Sequence, residues 1–459
     1  MAGIGFGIRK LIHQDNLTGV FSGYLFSALI TAGPWLFTIL ALGSIVLFGD
    51  TLMGPDELTL FRLTMIYNFS LSLVISGPLT IVVTRYISDK VYMRDIRELP
   101  GILIGSWAFL LIVQLPFVLY FYLQYLNLPL ELSLAAAANY LLISGIWLVS
   151  VFLSALKDYA TISLNFVIGM ALGVILAVNL GEHYSVPGIL WGFNIGLGYI
   201  KFSLIARVMI ENPYPAKKFF GFLGYFKKYW DLAICGLFYN LAIWVDKWIM
   251  WLAPEAHTWE SGLVSYANYE TAMFLAFLTI IPAMSIFFVN VETSFYEKYM
   301  LFYKDIQDHA SYDKIQRNQG EIVDNLLDNA RLLIYFQGFI SFLTIFLAPR
   351  LFDLLNINYL LLGMFRIGVL GAFFHAMTMF MFIIIFYFDF RKPALALHSL
   401  FLVSNIVFTY LSMKAGFSYY GYGYFFASLL TFACTYCFTF YSVGTLTYRA
   451  FIKNNSAVC

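Results

Sequence analysis

Residues 229–252 read YWDLAICGLFYNLAIWVDKWIMWL. The stretch is apolar and long enough to cross a bilayer, which takes roughly 20 residues of helix. Yet it carries an acid and a base side by side, Asp246 and Lys247, near its far end. A charge at membrane depth costs about 2.5–3.5 kcal/mol on insertion scales, so it needs a partner, a wet cavity or a task. Asn240, Trp244, Lys247 and Trp251 recur at helical spacing and share one face. That face offers an amide, two indoles and an ammonium, and the opposite face is Ile, Leu and Ala. A membrane helix of this kind lines something polar.

The rest of the chain sets that helix in a membrane protein. Of 459 residues, 61% are hydrophobic and only 12% charged, and mean hydropathy is +0.78, whereas soluble proteins carry about 25% charged residues. A net charge of +1 gives no reason to expect nucleic acid as a partner. Of the four cysteines, Cys235, Cys434 and Cys437 lie in apolar runs and Cys459 ends the chain, so they form no extracellular disulfide framework. The first apolar run is about 30 residues, too long for the core of a cleavable signal, and is expected to stay as a helix.

Twelve stretches are long and apolar enough to span, at about 19–48, 59–84, 102–126, 132–156, 160–180, 186–210, 229–252, 264–291, 332–349, 360–388, 394–413 and 422–447. The expected fold class is therefore an all-α polytopic membrane protein. With the N-terminus inside, the inner segments carry Arg9, Lys10, Arg85, Lys90, Arg94, Arg97, Lys157, Lys217, Lys218, Lys227, Lys228, Lys298, Lys304, Lys314, Arg317, Arg391, Lys392, Arg449 and Lys453. The outer segments carry only Arg350 and Lys414. That asymmetry places both termini in the cytoplasm.

Two inner segments stand out. Pro213–Lys228 is basic and aromatic, sits at the middle of the chain, and reads as an interfacial linker between two six-helix lobes, 1–211 and 229–459, with the linker itself at 212–228. Residues 292–331 form the longest cytoplasmic segment; Ile315, Ile322 and Leu326 fall at helical spacing within it. It is either a solvated extension of the flanking spans or a surface for a cytoplasmic partner. Pro34, Pro78 and Pro282 are candidate kinks, the last two at corresponding places in the two halves.

Catalytic motifs are missing: no P-loop is present, and His375 and His398 stand singly in apolar runs, where a packed histidine outweighs a metal ligand. No cofactor is expected. The G-x-x-x-G pairs Gly169/Gly173 and Gly192/Gly196 permit close helix packing. What remains is charge at depth. Asp246, Lys247, Glu270, Arg366 and Arg62 each lie about 4–6 residues from the outer end of a span, at similar heights. They either pair around a shared cavity or glue helices together, and Arg62 can instead snorkel to the interface. Trp244, Trp248, Trp251, Tyr239 and Asn240 supply the flat faces and polar groups a sugar passage needs, although interfacial aromatic belts also account for Trp248 and Trp251.

The opening MAGIGFGIRK, the Ala32-Gly33-Pro34-Trp35 and Ser76-Gly77-Pro78 turns, Thr84-Arg85-Tyr86-Ile87-Ser88-Asp89 and Ile243-Trp244-Val245-Asp246-Lys247 together resemble the Pel-type exopolysaccharide transporters, in the polysaccharide-transporter branch of the MATE-like (MOP) superfamily. The resemblance starts at residue 1 and touches both halves. It implies two six-helix lobes around a cavity, a location in the cytoplasmic (inner) membrane, and export of a growing, N-acetylgalactosamine-rich polysaccharide for a biofilm matrix. It also implies a cytoplasmic glycosyltransferase and companion membrane proteins as partners. No substrate residues carry over, beyond Asp246-Lys247 lying in a matching motif. The reading is a non-enzymatic polysaccharide exporter. A lipid-linked oligosaccharide flippase, a cation-coupled small-molecule antiporter and a non-transporting synthase scaffold are the alternatives. The near absence of deep acids in the first six spans argues against the antiporter, and paired charges at depth argue against the scaffold.

Overall fold

Every backbone N–H and C=O that enters hydrocarbon must find its partner within the protein, and a helix achieves this within one segment. The apolar runs accordingly become helices in the computed structural model, which describes residues 33–49, 54–156, 159–284, 294–449 and 451. The opening Met1–Leu17, the first part of the 19–48 run, Lys157, the end of the 264–291 run and Lys453 lie outside the described residues. Ten described helices are long and apolar enough to cross a membrane.

The described residues group into two compact units. The first, the N-unit, takes in residues up to Trp244 together with Pro254–Tyr266. Its helices are α1 (Gly33–Gly49), α2 (Pro55–Tyr92), α3 (Leu99–Tyr120), α4 (Leu130–Leu156), α5 (Tyr159–Glu211), the short α6 (Leu223–Lys228) and the first part of α7 (Trp230–Met250). At about 1.5 Å per residue the 38-residue α2 is about 57 Å long, well beyond a ~30 Å hydrocarbon core. Helix α5 is not one rod. Ser185 has φ 56° and ψ −144°, and a Cβ on Gly196 would lie 2.4 Å from the Gly169 carbonyl oxygen. Its two arms therefore fold back on each other through the two G-x-x-x-G pairs. Helix α4 packs against α5 and α2, and α1 against α5.

The second, the C-unit, takes in Val245–Ala253 and the described residues from Ala267 onward. It holds the end of α7, α8 (Ala267–Leu278), α9 (Tyr296–Gln307), α10 (Tyr312–Leu354), α11 (Leu362–Tyr387), α12 (Arg391–Ala415) and α13 (Tyr422–Gly444). Helix α13 packs on α11 and α12, and α11 also packs on α8 and α10. The charged 292–331 segment is helical wherever it is described beyond a short turn: α9 and the start of α10 form an antiparallel pair, and Ile315, Ile322 and Leu326 are buried as their spacing predicts. Buried Asp305 binds Lys314 (3.0 Å) and Asn318 (2.6 Å) across the turn between them. Gln319 reaches the end of α13, donating to the carbonyls of Val443 and Gly444 and accepting from Thr447. These are carbonyls a helix end leaves unpaired.

The prolines sit differently from one another. Pro34 lies at the edge of the described part of α1, and Pro78 lies inside a continuous α2. Pro282 follows a turn at Thr279–Ile280, where the backbone bonds tighten to Thr279 N–Ala276 O (3.2 Å) and Ile280 N–Phe277 O (3.1 Å). Between α7 and α8 a two-stranded hairpin, β1 (His257–Thr258) with β2 (Val264–Ser265), belongs to the N-unit. Tyr67 fastens it, its hydroxyl accepting from Val264 N (3.0 Å) and donating to Val264 O (2.9 Å).

Candidate transport site

Asp246 is completely buried. Helix α7 places it, and two neighbours answer its charge. Lys247 Nζ donates to Oδ1 at 3.0 Å, and the Tyr269 hydroxyl from α8 donates to Oδ2 at 3.1 Å. The Lys247 ammonium also stands 5.7 Å from the ring centre of Tyr424 on α13, within cation–π range. Tyr424 is in turn hydrogen-bonded to His375 Nδ1 of α11 at 2.9 Å. One turn beyond, the Trp251 indole donates to Glu270 Oε1 at 2.6 Å. Four helices of the C-unit, α7, α8, α11 and α13, thus converge on one polar chain. A buried ion pair left with one partner missing costs several kcal/mol, so the chain is worth keeping only whole.

The other charges expected at this level are placed separately. Arg366 is half-buried on α11, and its Nε has no hydrogen-bond partner among the described residues. Arg62 is exposed on α2 of the N-unit. Asn240 turns to α2, its amide donating to the Leu73 carbonyl at 3.1 Å. It does so at a crossing of α2 and α7 where a Cβ on Gly77 would lie 2.4 Å from Asn240 Nδ2 and 2.8 Å from the Gly236 oxygen. Trp244 is half-buried on the same helix.

Spacing alone did not reveal a second polar chain, in the N-unit. Tyr122 donates to Asn68 Oδ1 (2.5 Å), Asn68 to Asn139 Oδ1 (2.8 Å), and Asn139 to Asn194 Oδ1 (2.7 Å). Asn68 and Asn194 also donate to the carbonyls of Ala136 (3.1 Å) and Ala135 (2.9 Å). All four side chains are buried. The available signal was a single asparagine in each of three apolar runs, each too costly to bury without a partner.

The linker is held firmly. A Cβ on Gly101 would lie 1.8 Å from the Lys217 carbonyl oxygen, and one on Gly105 would lie 1.7 Å from that of Phe219. The linker backbone therefore runs directly over a glycine face of α3. Beside it, buried Glu98 accepts from Lys218, from Lys90 (2.8 Å) and from the Tyr86 hydroxyl (2.7 Å). Burial pushes the Glu98 carboxyl up, but the bonds from Lys218, Lys90 and Tyr86 outweigh it and hold it at about 2. A carboxyl held below its ordinary 4.5 stabilises the fold above that pH, and the contribution is lost as pH falls through 4.5 toward 2. Limited proteolysis of the linker is therefore expected to be slow at pH 6 and to accelerate as pH falls from 4.5 toward 2, where the clamp's contribution is lost. Glu98→Gln should make cleavage fast at both. A linker equally resistant at pH 3 and pH 6 would contradict the clamp.

Solved structures share this arrangement of helices. An outward-facing multidrug resistance MATE family transporter of the MOP superfamily matches with a TM-score of 0.66 at 13% identity, covering 92% of this chain and 96% of that one. A MOP superfamily transporter from Pyrococcus furiosus Vc1 matches at 0.67 and 12%, covering 93% and 96%. A MATE structure in a bent conformation matches at 0.67 and 12%, covering 98% and 100%. With ten apolar helices among the described residues, the chain is a multi-pass membrane protein of the MATE-like transporter fold. No curated protein matches the sequence. A family model described as "Putative exopolysaccharide Exporter (EPS-E)", PelG, matches residues 1–451. The chain belongs to the PelG family of exopolysaccharide exporters, in agreement with the resemblance of its motifs. Family and fold are those of transporters rather than enzymes.

Proposed function

We propose that this protein carries a growing Pel-like, N-acetylgalactosamine-rich polysaccharide outward across the cytoplasmic membrane. The buried Asp246, held by Lys247 and Tyr269 at membrane depth, supports this reading most directly, because charge in an apolar helix is costly to keep. In the proposal, Asp246, Lys247, Asn240, Trp244, Glu270, Arg366 and Arg62 line or flank the passage, with indoles for sugar faces and polar groups for hydroxyls. Twelve spans build two six-helix lobes, 1–211 and 229–459, joined by the linker 212–228. The count of twelve is the ten apolar helices plus one for the reversal of α5 at Ser185 and one for α1. A cytoplasmic glycosyltransferase and companion membrane proteins supply the chain, docking on the α9–α10 pair.

The test is twofold. In a cysteine-less background, Ala310→Cys should react with a membrane-impermeant maleimide only after the cells are opened, because the basic residues flanking it belong inside. Labelling of intact cells would reverse the topology and remove the docking surface. Cells lacking this protein should then accumulate polymer on the inner side, free of a lipid carrier. Polymer recovered on a lipid carrier would favour a flippase instead.

A further inference from the structure

Lys201, on the second arm of α5, is only 4% exposed and has no carboxylate within ion-pair distance among the described residues. Room for it is made by Gly145 of α4, where a Cβ would lie 2.7 Å from Lys201 Cε and 3.0 Å from Nζ. Its Nζ stands 4.3 Å from the ring centre of Trp107 on α3. The ammonium thus faces the π cloud, the placement of a cation. A neutral amine seated there could not accept the Trp107 indole N–H, which lies in the ring plane. That N–H is itself buried and has no partner among the described residues. Two turns along the same face of α3, Gln114 is 1% exposed. Its carbonyl accepts from Ser144, and its amide nitrogen is also without an acceptor. Two buried donors with no acceptor among the described residues therefore lie where α3, α4 and α5 meet, beside a buried lysine whose ammonium has no carboxylate partner. Buried donors in native proteins find partners.

We propose that this cluster binds a small monovalent anion of the halide class, which neutralises Lys201 and accepts from the Trp107 indole. Charge balance selects a monovalent ion, since Lys201 is one unanswered charge and nearby Arg207 is answered by Glu211 at 2.8 Å. The lysine head packs directly on Gly145, which disfavours a bulky ion beside it. The site lies inside the N-unit, and the proposal does not depend on the polymer passage.

The experiment is a melting series on the purified full chain in detergent micelles, exchanging chloride for gluconate at fixed ionic strength. A ligand bound only to the folded state raises the melting temperature in a saturable way, here by about 5 °C. Lys201→Gln should abolish the chloride dependence. Trp107→Phe, which keeps the ring and removes the donor, should raise the half-saturating chloride concentration about five-fold. An anomalous bromide peak beside Lys201 Nζ in bromide-soaked crystals would locate the ion. A wild-type melting temperature indifferent to chloride overturns the proposal, as does a chloride response retained by Lys201→Gln. If Lys201→Gln does not fold, an unaltered half-saturation in Trp107→Phe overturns it equally.

Discussion

Asp246→Ala is expected to strip most of the protein from the membrane. The substitution leaves the Lys247 ammonium without its carboxylate and the Tyr269 hydroxyl without its acceptor, in a site where Asp246 has no solvent exposure. Breaking a buried pair from one side costs about 3–5 kcal/mol, a large part of a typical fold's stability. Asp246→Asn separates folding from transport. Asn keeps the shape and can still accept from Tyr269, while the charge is gone. Near-normal abundance with export reduced about tenfold is the expected outcome, and Lys247→Gln, which leaves the buried carboxylate without its cation, should reduce export alike at a lower abundance. Export must be divided by the amount of protein in the membrane. Normal export at normal abundance in both variants would take the pair off the passage, and loss of protein in both would make it a helix fastener only.

Gly105→Ala should unseat the linker, with Gly101→Ala close behind. The added methyl meets backbone, at 1.7 Å from the Phe219 oxygen in one case and 1.8 Å from the Lys217 oxygen in the other, so no side chain can turn aside to make room. Overpacking typically costs about 1–3 kcal/mol. Here it also pulls Lys218 away from Glu98, so the double variant should lose the resistance of residues 213–228 to protease altogether. Insertion should survive, because α3 itself stays apolar and helical. A double variant as resistant as the wild type would mean that the linker is held elsewhere.

How much of this could be read beforehand follows from how the information is written. Helix α7 announced itself, because Asp246 and Lys247 are costly in an apolar run and the cost is visible in one dimension. The Gly169/Gly173 and Gly192/Gly196 pairs were likewise local signals, and they mark where the arms of α5 meet. Tyr269 and Tyr424 were not legible: a tyrosine in an apolar run serves packing or an interface equally well until the fold sets it beside Asp246 or His375. Gly101 and Gly105 have the same spacing as the other pairs, but their partner is linker backbone, which no helix-packing rule suggests. In the sequence Lys201 is merely a base near the end of an apolar run. Its lack of an acid is a property of three helices together, not of its own.

The asparagine chain of the N-unit bears on how the protein is made. Asn68 pairs with a residue 71 positions later, and that residue pairs with one 55 positions later still. At synthesis rates of roughly 5–20 residues per second, Asn68 waits on the order of ten seconds for the last of them. Until then its amide must stay at the wet mouth of the insertion machinery or borrow a temporary partner. The N-unit therefore closes late, as one cooperative event after α5 has been delivered. A ribosome paused between Asn139 and Asn194 would leave an amide exposed to lipid, the kind of fault membrane quality control recognises.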